Sequence, residues 1–421
     1  MLKKKKLENG LRIILAPQKG SLTATALVLV EAGSEYETKE INGLSHFLEH
    51  MCFKGTSKRP KAGMISEELD ALGAEYNAFT DQQYTGYWAK VEKNKLPQAL
   101  ELISDLYINP IFNQEEINKE RGVVIEELNM YEDTPMRRVG DYFNHVVFGE
   151  QPAGWDVGGT KEVIAKLNRE HFIEYRLKHY VPGKTIVVIS GNFSEAKVLK
   201  EIKKHFGSLE KRPIVKKQPT KVNQSEPKIF SKHKESEQDH FIIGFPGINV
   251  FDKRRYALSV LSNVLGGGMS SRLFKKVRDE MGAAYYVRSG ADFAVDHGIF
   301  AVSAGTAHTK TKAVIEAILA ELVRLKTEPV PKDELKRAKD SMVSSLVLGL
   351  ETSDQLANFY GGQEVLAGKT ASPAEIMKKI RAVTARDIQR VASDLFKTKY
   401  LNLASIGRFK EGDLKPLLAL D

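Results

Sequence analysis

The sequence predicts an α+β protein of two related lobes, each an antiparallel β-sheet covered by α-helices, and three observations carry that prediction. Strand-like segments rarely alternate singly with helix-like ones, so a doubly wound parallel sheet fits poorly. A stretch rich in Lys, Pro, Gln and Ser, ending near Pro227, has the composition of a linker and divides the 421 residues almost in half. The halves also match each other. Leu44-Ser45-His46-Phe47-Leu48-Glu49-His50 overlays Leu261-Ser262-Asn263-Val264-Leu265-Gly266-Gly267 at an offset of 217, and Glu116-Ile117 overlays Glu334-Leu335 at 218. The expected organisation is therefore a lobe over 1–212, a linker over 213–227 and a second lobe over 228–421.

The elements of the first lobe follow in order. Residues 11–16 and 23–30 have strand character, the second being a nearly continuous β-branched and apolar run. A helix follows over the pentapeptide at 46–50, then a short helix over 65–72 and a hairpin over 75–91. Helical periodicity continues over 96–107, 114–133, 136–147 and 162–179, and a last strand is expected at 185–190.

Composition bounds the function. Hydrophobic residues make up 42% of the chain, enough to fill substantial cores, yet there is no run of about 18 apolar residues to span a membrane. The Lys3–Lys6 cluster has no apolar stretch behind it, so no secretory signal is read and the expectation is a cytoplasmic protein. A single cysteine, Cys52, excludes an internal disulfide and fits a reducing compartment. The net charge of +9 is spread along the chain without a nucleic-acid motif, so the lysines read as solvated surface and no nucleic-acid partner is expected.

The chemistry concentrates in His46-Phe47-Leu48-Glu49-His50. On a helix, positions i, i+3 and i+4 share a face, so His46, Glu49 and His50 project together. Two imidazoles one turn apart can ligate one Zn²⁺, and a glutamate beside them can take a proton from water. Taken alone, the pentapeptide also suits a surface helix whose histidines pack and whose glutamate is solvated. A third ligand separates the two readings. Downstream, Glu120 and Glu127 lie two turns apart on one face of the 114–133 helix, whereas Glu126 points about 100° away. Cys52 would point away from the His46/His50 face and reads as a buried structural thiol.

At this point the chain resembles the pitrilysin-type (M16) zinc metallopeptidases, whose inverted signature His-x-x-Glu-His is followed by 76 residues and a ligating glutamate. Between His50 and Glu127 there are 76 residues. The resemblance implies one Zn²⁺ per chain held by His46, His50 and Glu127, with Glu49 as the catalytic base and Glu120 as a supporting glutamate that orients the site. It further implies a LuxS/metallopeptidase-like fold with helices on one face of each sheet. Asn77, Ala78, Phe79 and Thr80 are similar to the family's edge strand that pairs with an extended peptide. Arg278 and Tyr285, seven apart, resemble the family's substrate clamp, in which a guanidinium holds a carbonyl or carboxylate and a phenol serves the oxyanion. Gly266-Gly267-Gly268 lacks the surroundings of a phosphate loop and resembles a glycine-rich turn of the family's second lobes, suited to close packing or to substrate passage. The second lobe has Asn263, Gly266, Gly267 and Ser345 where the first has its metal residues.

By length the chain resembles the half-size branch that includes mitochondrial processing peptidase subunits and bacterial relatives. The resemblance implies a zinc endopeptidase that hydrolyses unfolded peptides or presequence-like segments inside a dimer chamber, with Arg278 and Tyr285 supplied to the other chain's metal. Because both sets of residues are present, a homodimer suffices. The alternative is a non-catalytic or partner-dependent subunit of a heterodimer.

Overall fold

The computed structural model describes residues 2–420. The first half of the chain runs β1 (Lys3–Lys6), β2 (Arg12–Pro17), β3 (Thr23–Val30), α1 (Leu44–Cys52), α2 (Met64–Ala71), β4 (Glu75–Thr80), β5 (Thr85–Glu92), α3 (Leu96–Ile108), α4 (Gln114–Glu132), α5 (Pro135–Phe148), α6 (Lys161–Ile164), α7 (Arg169–His179), β6 (Thr185–Gly191) and α8 (Glu195–Phe206). The second half runs β7 (Lys228–His233), β8 (Asp239–Pro246), α9 (Arg255–Gly266), a π-helix (Phe274–Glu280), β9 (Ala284–Phe293), β10 (Gly298–Thr306), α10 (Thr311–Thr327), α11 (Lys332–Leu348), α12 (Ser353–Ala367), α13 (Pro373–Ala382), α14 (Ala385–Leu395), β11 (Asn402–Gly407) and α15 (Glu411–Leu414).

Two sheets result, with the same strand order. The first is β1-β2-β6-β3-β5-β4 and the second β7-β11-β8-β10-β9, so from β2 onward each strand has a counterpart. Pairing is antiparallel except for β2 with β6 and β7 with β11, which are parallel. These pairs join strands far apart in sequence, where no tight turn imposes opposite directions. β1 was not expected as a strand. Its four lysines line the sheet's edge, where Lys3 and Lys5 reach Glu195 and Lys4 pairs with Glu364, and a charged edge discourages pairing with another chain. The expected single helix over 162–179 is broken into α6 and α7, because Asn168 caps α7 by accepting the His171 amide.

Residues 213–227 form no helix or strand, and the chain passes from one compact unit to the other at Gln218/Pro219. The units are nevertheless discontinuous, unlike the lobes 1–212 and 228–421 expected from sequence. The first contains residues up to Asn129, Asp156–Gln218 and Leu348–Ala371, and the second contains Met130–Trp155, Pro219–Val347 and the residues from Ser372 onward. Each sheet thus takes one helix from the other half of the chain. In the first unit, α12 lays Ala357, Tyr360 and Val365 on Ile14, Leu27, Leu29 and Val188, while α3 packs on β3 and β5. Successive strand residues point to opposite faces, so helices cover both faces of this sheet, not one. In the second unit, α5 places Val139, Phe143 and Val147 over Ala404 and Ile406, and the helices α9 and α10 bury the alternate residues Phe241, Ile243 and Phe245. Burial on both faces explains why β3 reads as a continuous apolar run.

Candidate metal centre

The first unit builds its site on α1. The helix buries Leu44, Phe47, Leu48, Met51 and Cys52, which leaves His46, Glu49 and His50 on its partly exposed side. Its start is held rigidly. Gly43 has φ 95°, and a side chain there would meet the Gly158 carbonyl oxygen at 2.4 Å, so glycine is required. The buried Glu37 carboxylate accepts the amides of Gly43 at 2.8 Å and Ser45 at 2.6 Å, together with the Asn42 side-chain N–H at 3.0 Å. Burial pushes Glu37 up to about 7 against the lowering effect of these donors. Ser45 Oγ donates to Tyr175 Oη at 2.7 Å, which ties α1 to α7.

α4 supplies the second wall. It buries Ile117, Glu120, Val124 and Leu128, and brings Glu127 to the histidines while Glu126 stays on the exposed side. The Nε2 atoms of His46 and His50 lie 3.3 Å apart, and Glu127 Oε2 is 3.5 Å from each. Tetrahedral ligands about 2.0–2.1 Å from a Zn²⁺ are separated from each other by about 3.3–3.4 Å, so the three atoms suit one such ion. Their side chains keep 14–22% exposure, which leaves a route to the site. His50 Nδ1 contacts Glu120 Oε1 at 3.0 Å, so once the ring is neutral its proton is held on Nδ1 and the Nε2 lone pair is left facing His46 and Glu127. Burial opposes charge on His50, but Glu120, Glu127 and Glu49 outweigh it and push the ring up to about 9 in the metal-free chain. Metal uptake would therefore release protons.

Glu49 is partly buried, and that burial raises its pKa. Thr80 Oγ1 donates to Glu49 Oε2 at 2.8 Å. The Asn77, Ala78, Phe79 and Thr80 segment lies on β4, an edge strand of the first sheet, with Asn77 exposed and the Ala78 amide turned to the Asn77 side chain. Thr80, expected among the substrate-binding residues, also holds the glutamate through its side chain. Three contacts had no sequence signal: the Glu37 cap, the Thr80 donation and the Lys54–Glu120 ion pair of 2.6 Å. Each joins residues from different elements or across a loop, beyond the reach of local periodicity. Cys52 is buried, donates to Tyr87 Oη at 3.5 Å, and burial pushes its thiol up to about 12, consistent with a structural role.

In the second unit, Arg278 lies on the π-helix and Tyr285 on the edge strand β9. Arg278 Nη1 donates to the Tyr285 carbonyl oxygen at 2.8 Å, while the Tyr285 side chain is 63% exposed. Both line a cavity of about 500 Å³ with Gly266, Gly267, Gly268 and Arg288. The glycine run thus lines one cavity with Arg278 and Tyr285, a grouping that spacing alone did not reveal.

Two sheets of one topology and, in the first unit, a His/His/Glu trio beside a partly buried glutamate define a two-lobed α+β protein with a candidate metal centre in one lobe. Residues 12–161 match the family described as Insulinase (Peptidase family M16), and residues 166–342 match the Peptidase M16 inactive domain. The uncharacterized zinc protease YmxG of Bacillus subtilis is 36% identical over 402 residues, covering 95% of this chain and 97% of the relative. The uncharacterized zinc protease SCO5738 of Streptomyces coelicolor is 35% identical over 411 residues, covering 96% of this chain and 89% of the relative. A protease from Helicobacter pylori shares the fold with a TM-score of 0.89 at 24% identity, over 97% of this chain and 99% of that one. The chain belongs to peptidase family M16. Among the described residues, no helix is long and apolar enough to cross a membrane.

Proposed function

We propose that this chain is a zinc endopeptidase acting on extended, unfolded peptides or presequence-like segments, with one Zn²⁺ per chain held by His46, His50 and Glu127. The observation that carries this reading is the convergence of those three ligand atoms within 4.8 Å of one another, with Glu49 alongside. The names of the relatives as zinc proteases support it.

A bound Zn²⁺ would polarise the scissile carbonyl and acidify a water in its remaining position. The other steps belong to this chain's residues. Thr80 holds Glu49 Oε2, which leaves Oε1 to take the water proton and later deliver it to the departing amine. Burial raises the basicity of Glu49 and so strengthens it as an acceptor. β4 offers the backbone groups of a sheet edge to an extended peptide, which gives affinity without demanding a sequence. Tyr285 is assigned to the oxyanion and Arg278 to a substrate carbonyl or carboxylate. In this reading both come from the other copy of a homodimer. A heterodimer in which this chain depends on a second half-size subunit is the competing arrangement. In this reading the enzyme works in a reducing, cytoplasmic compartment, which suits a chain whose single cysteine can form no internal disulfide.

The test is a zinc determination on the purified protein together with cleavage of a quenched peptide, with and without a chelator. Zinc near one equivalent and chelator-sensitive cleavage are expected. Cleavage indifferent to the chelator, or a protein that takes up no zinc, would overturn the proposal.

A further inference from the structure

His46 and His50 are followed, after another four residues, by Lys54. α1 closes in a tight turn, with Phe53 as its C-cap and the Lys54 amide donating to the Met51 carbonyl at 3.1 Å. His46 and His50 share a face of α1, and Lys54 follows just past the helix end, where its contact with Glu120 puts it on the same side. Opposite them, Glu127 and Glu120 form a row along α4, two turns apart. The two sets meet: Glu127 lies against both histidines, Glu120 Oε1 against His50 Nδ1, and Glu120 Oε2 against Lys54 Nζ at 2.6 Å. Each oxygen of Glu120 therefore has one partner, and the carboxylate plane is held.

Charge gives the same answer. Glu49, Glu120 and Glu127 place three carboxylates around a site meant for a divalent cation, and the excess negative charge needs one more cation. Lys54 supplies it. The pair is no ordinary surface bridge, because the Glu120 side chain is only 8% exposed and Lys54 only 30%. An exposed pair would contribute little.

We propose that Lys54 is a positioning residue for the metal centre, holding Glu120 in the orientation that fixes His50 and thereby strengthening Zn²⁺ binding. The proposal rests on reading His46, His50 and Glu127 as the metal ligands. Lys54 contacts Glu120 and acts through it. Loss of such outer support typically weakens metal affinity by about 10–100-fold.

The experiment titrates Zn²⁺ into metal-free full-length protein against a competing chromophoric chelator. Wild type, Lys54→Met, Lys54→Gln, Lys54→Arg, Glu120→Gln and the Lys54→Met/Glu120→Gln double variant are compared, with far-UV circular dichroism verifying the fold. Lys54→Met and Lys54→Gln should raise the Kd by about 10–100-fold. Lys54→Arg should bind near wild type, because the guanidinium restores the contact. The double variant should bind no worse than Glu120→Gln, since the lysine works only through that carboxylate. Wild-type affinity in folded Lys54→Met and Lys54→Gln, or additive losses in the double variant, would overturn the role of Lys54 while leaving the metal centre standing. A wild-type chain that binds no Zn²⁺ would remove the metal-centre reading itself, and this inference with it.

Discussion

Glu37 offers the sharpest quantitative test, through the substitution Glu37→Gln. In the folded chain this carboxyl is buried and raised from 4.5 to about 7, so the native state keeps its proton over a range where the unfolded chain has lost it. The stability this contributes is complete below pH 4.5 and is lost as pH rises through 7, a total of roughly 3 kcal/mol, of which roughly 2 kcal/mol falls between pH 5 and pH 8. Glutamine cannot titrate, so the variant lacks this loss. Its amide oxygen can accept from two of the three donors at Gly43, Ser45 and Asn42, but its N–H₂ then faces the third. That mismatch costs about 1–3 kcal/mol at every pH. The variant should therefore be less stable than wild type at pH 5, and the gap should narrow by roughly 2 kcal/mol at pH 8. Urea unfolding of the metal-free protein at both pH values measures this, with Trp155→Phe introduced in both chains so that Trp88 on β5 reports the first unit. A gap that stays constant with pH would refute the reasoning, because it would mean that the three donors overcome burial and keep Glu37 ionised.

Other outcomes follow from the same geometry. Glu49→Gln should bind Zn²⁺ as wild type does yet lose peptide hydrolysis by about 10²–10⁴-fold, and normal turnover in that variant would remove Glu49 from the mechanism. Phe47 is fully buried and meets Phe172 edge-to-face at 5.0 Å, so Phe47→Ala should cost about 3–5 kcal/mol in unfolding experiments; a loss below about 1 kcal/mol would mean that the motif helix is not anchored there. Mixing Glu49→Gln protein with Arg278→Ala protein should restore part of the activity through hybrid dimers. Absence of recovery, with subunit exchange demonstrated by mixed isotopic or tagged chains, would place both sets of residues in one chain's site.

What the sequence by itself determined is what local geometry dictates. A helix repeats every 3.6 residues, so two histidines four apart and a glutamate between them share a face in any tertiary setting, and Glu120 and Glu127 do the same on α4. The alternation of β4 and β5 and the periodicity of α1 to α5 were legible for the same reason. Tertiary structure decided the contacts made across long separations. Nothing in the apolar stripe of α5 or α12 says which sheet it will cover; the exchange follows from the second face of each sheet, where Leu27, Leu29 and Val188, or Ala404 and Ile406, need burial. The lysine strand β1 gains its identity only by hydrogen bonding to β2. Likewise Glu37, Thr80 and Lys54 are ordinary polar residues until folding brings them to Ser45, Glu49 and Glu120. Ligand spacing is a property of the helix, whereas the support that orients those ligands depends on burial and partners drawn from distant parts of the chain.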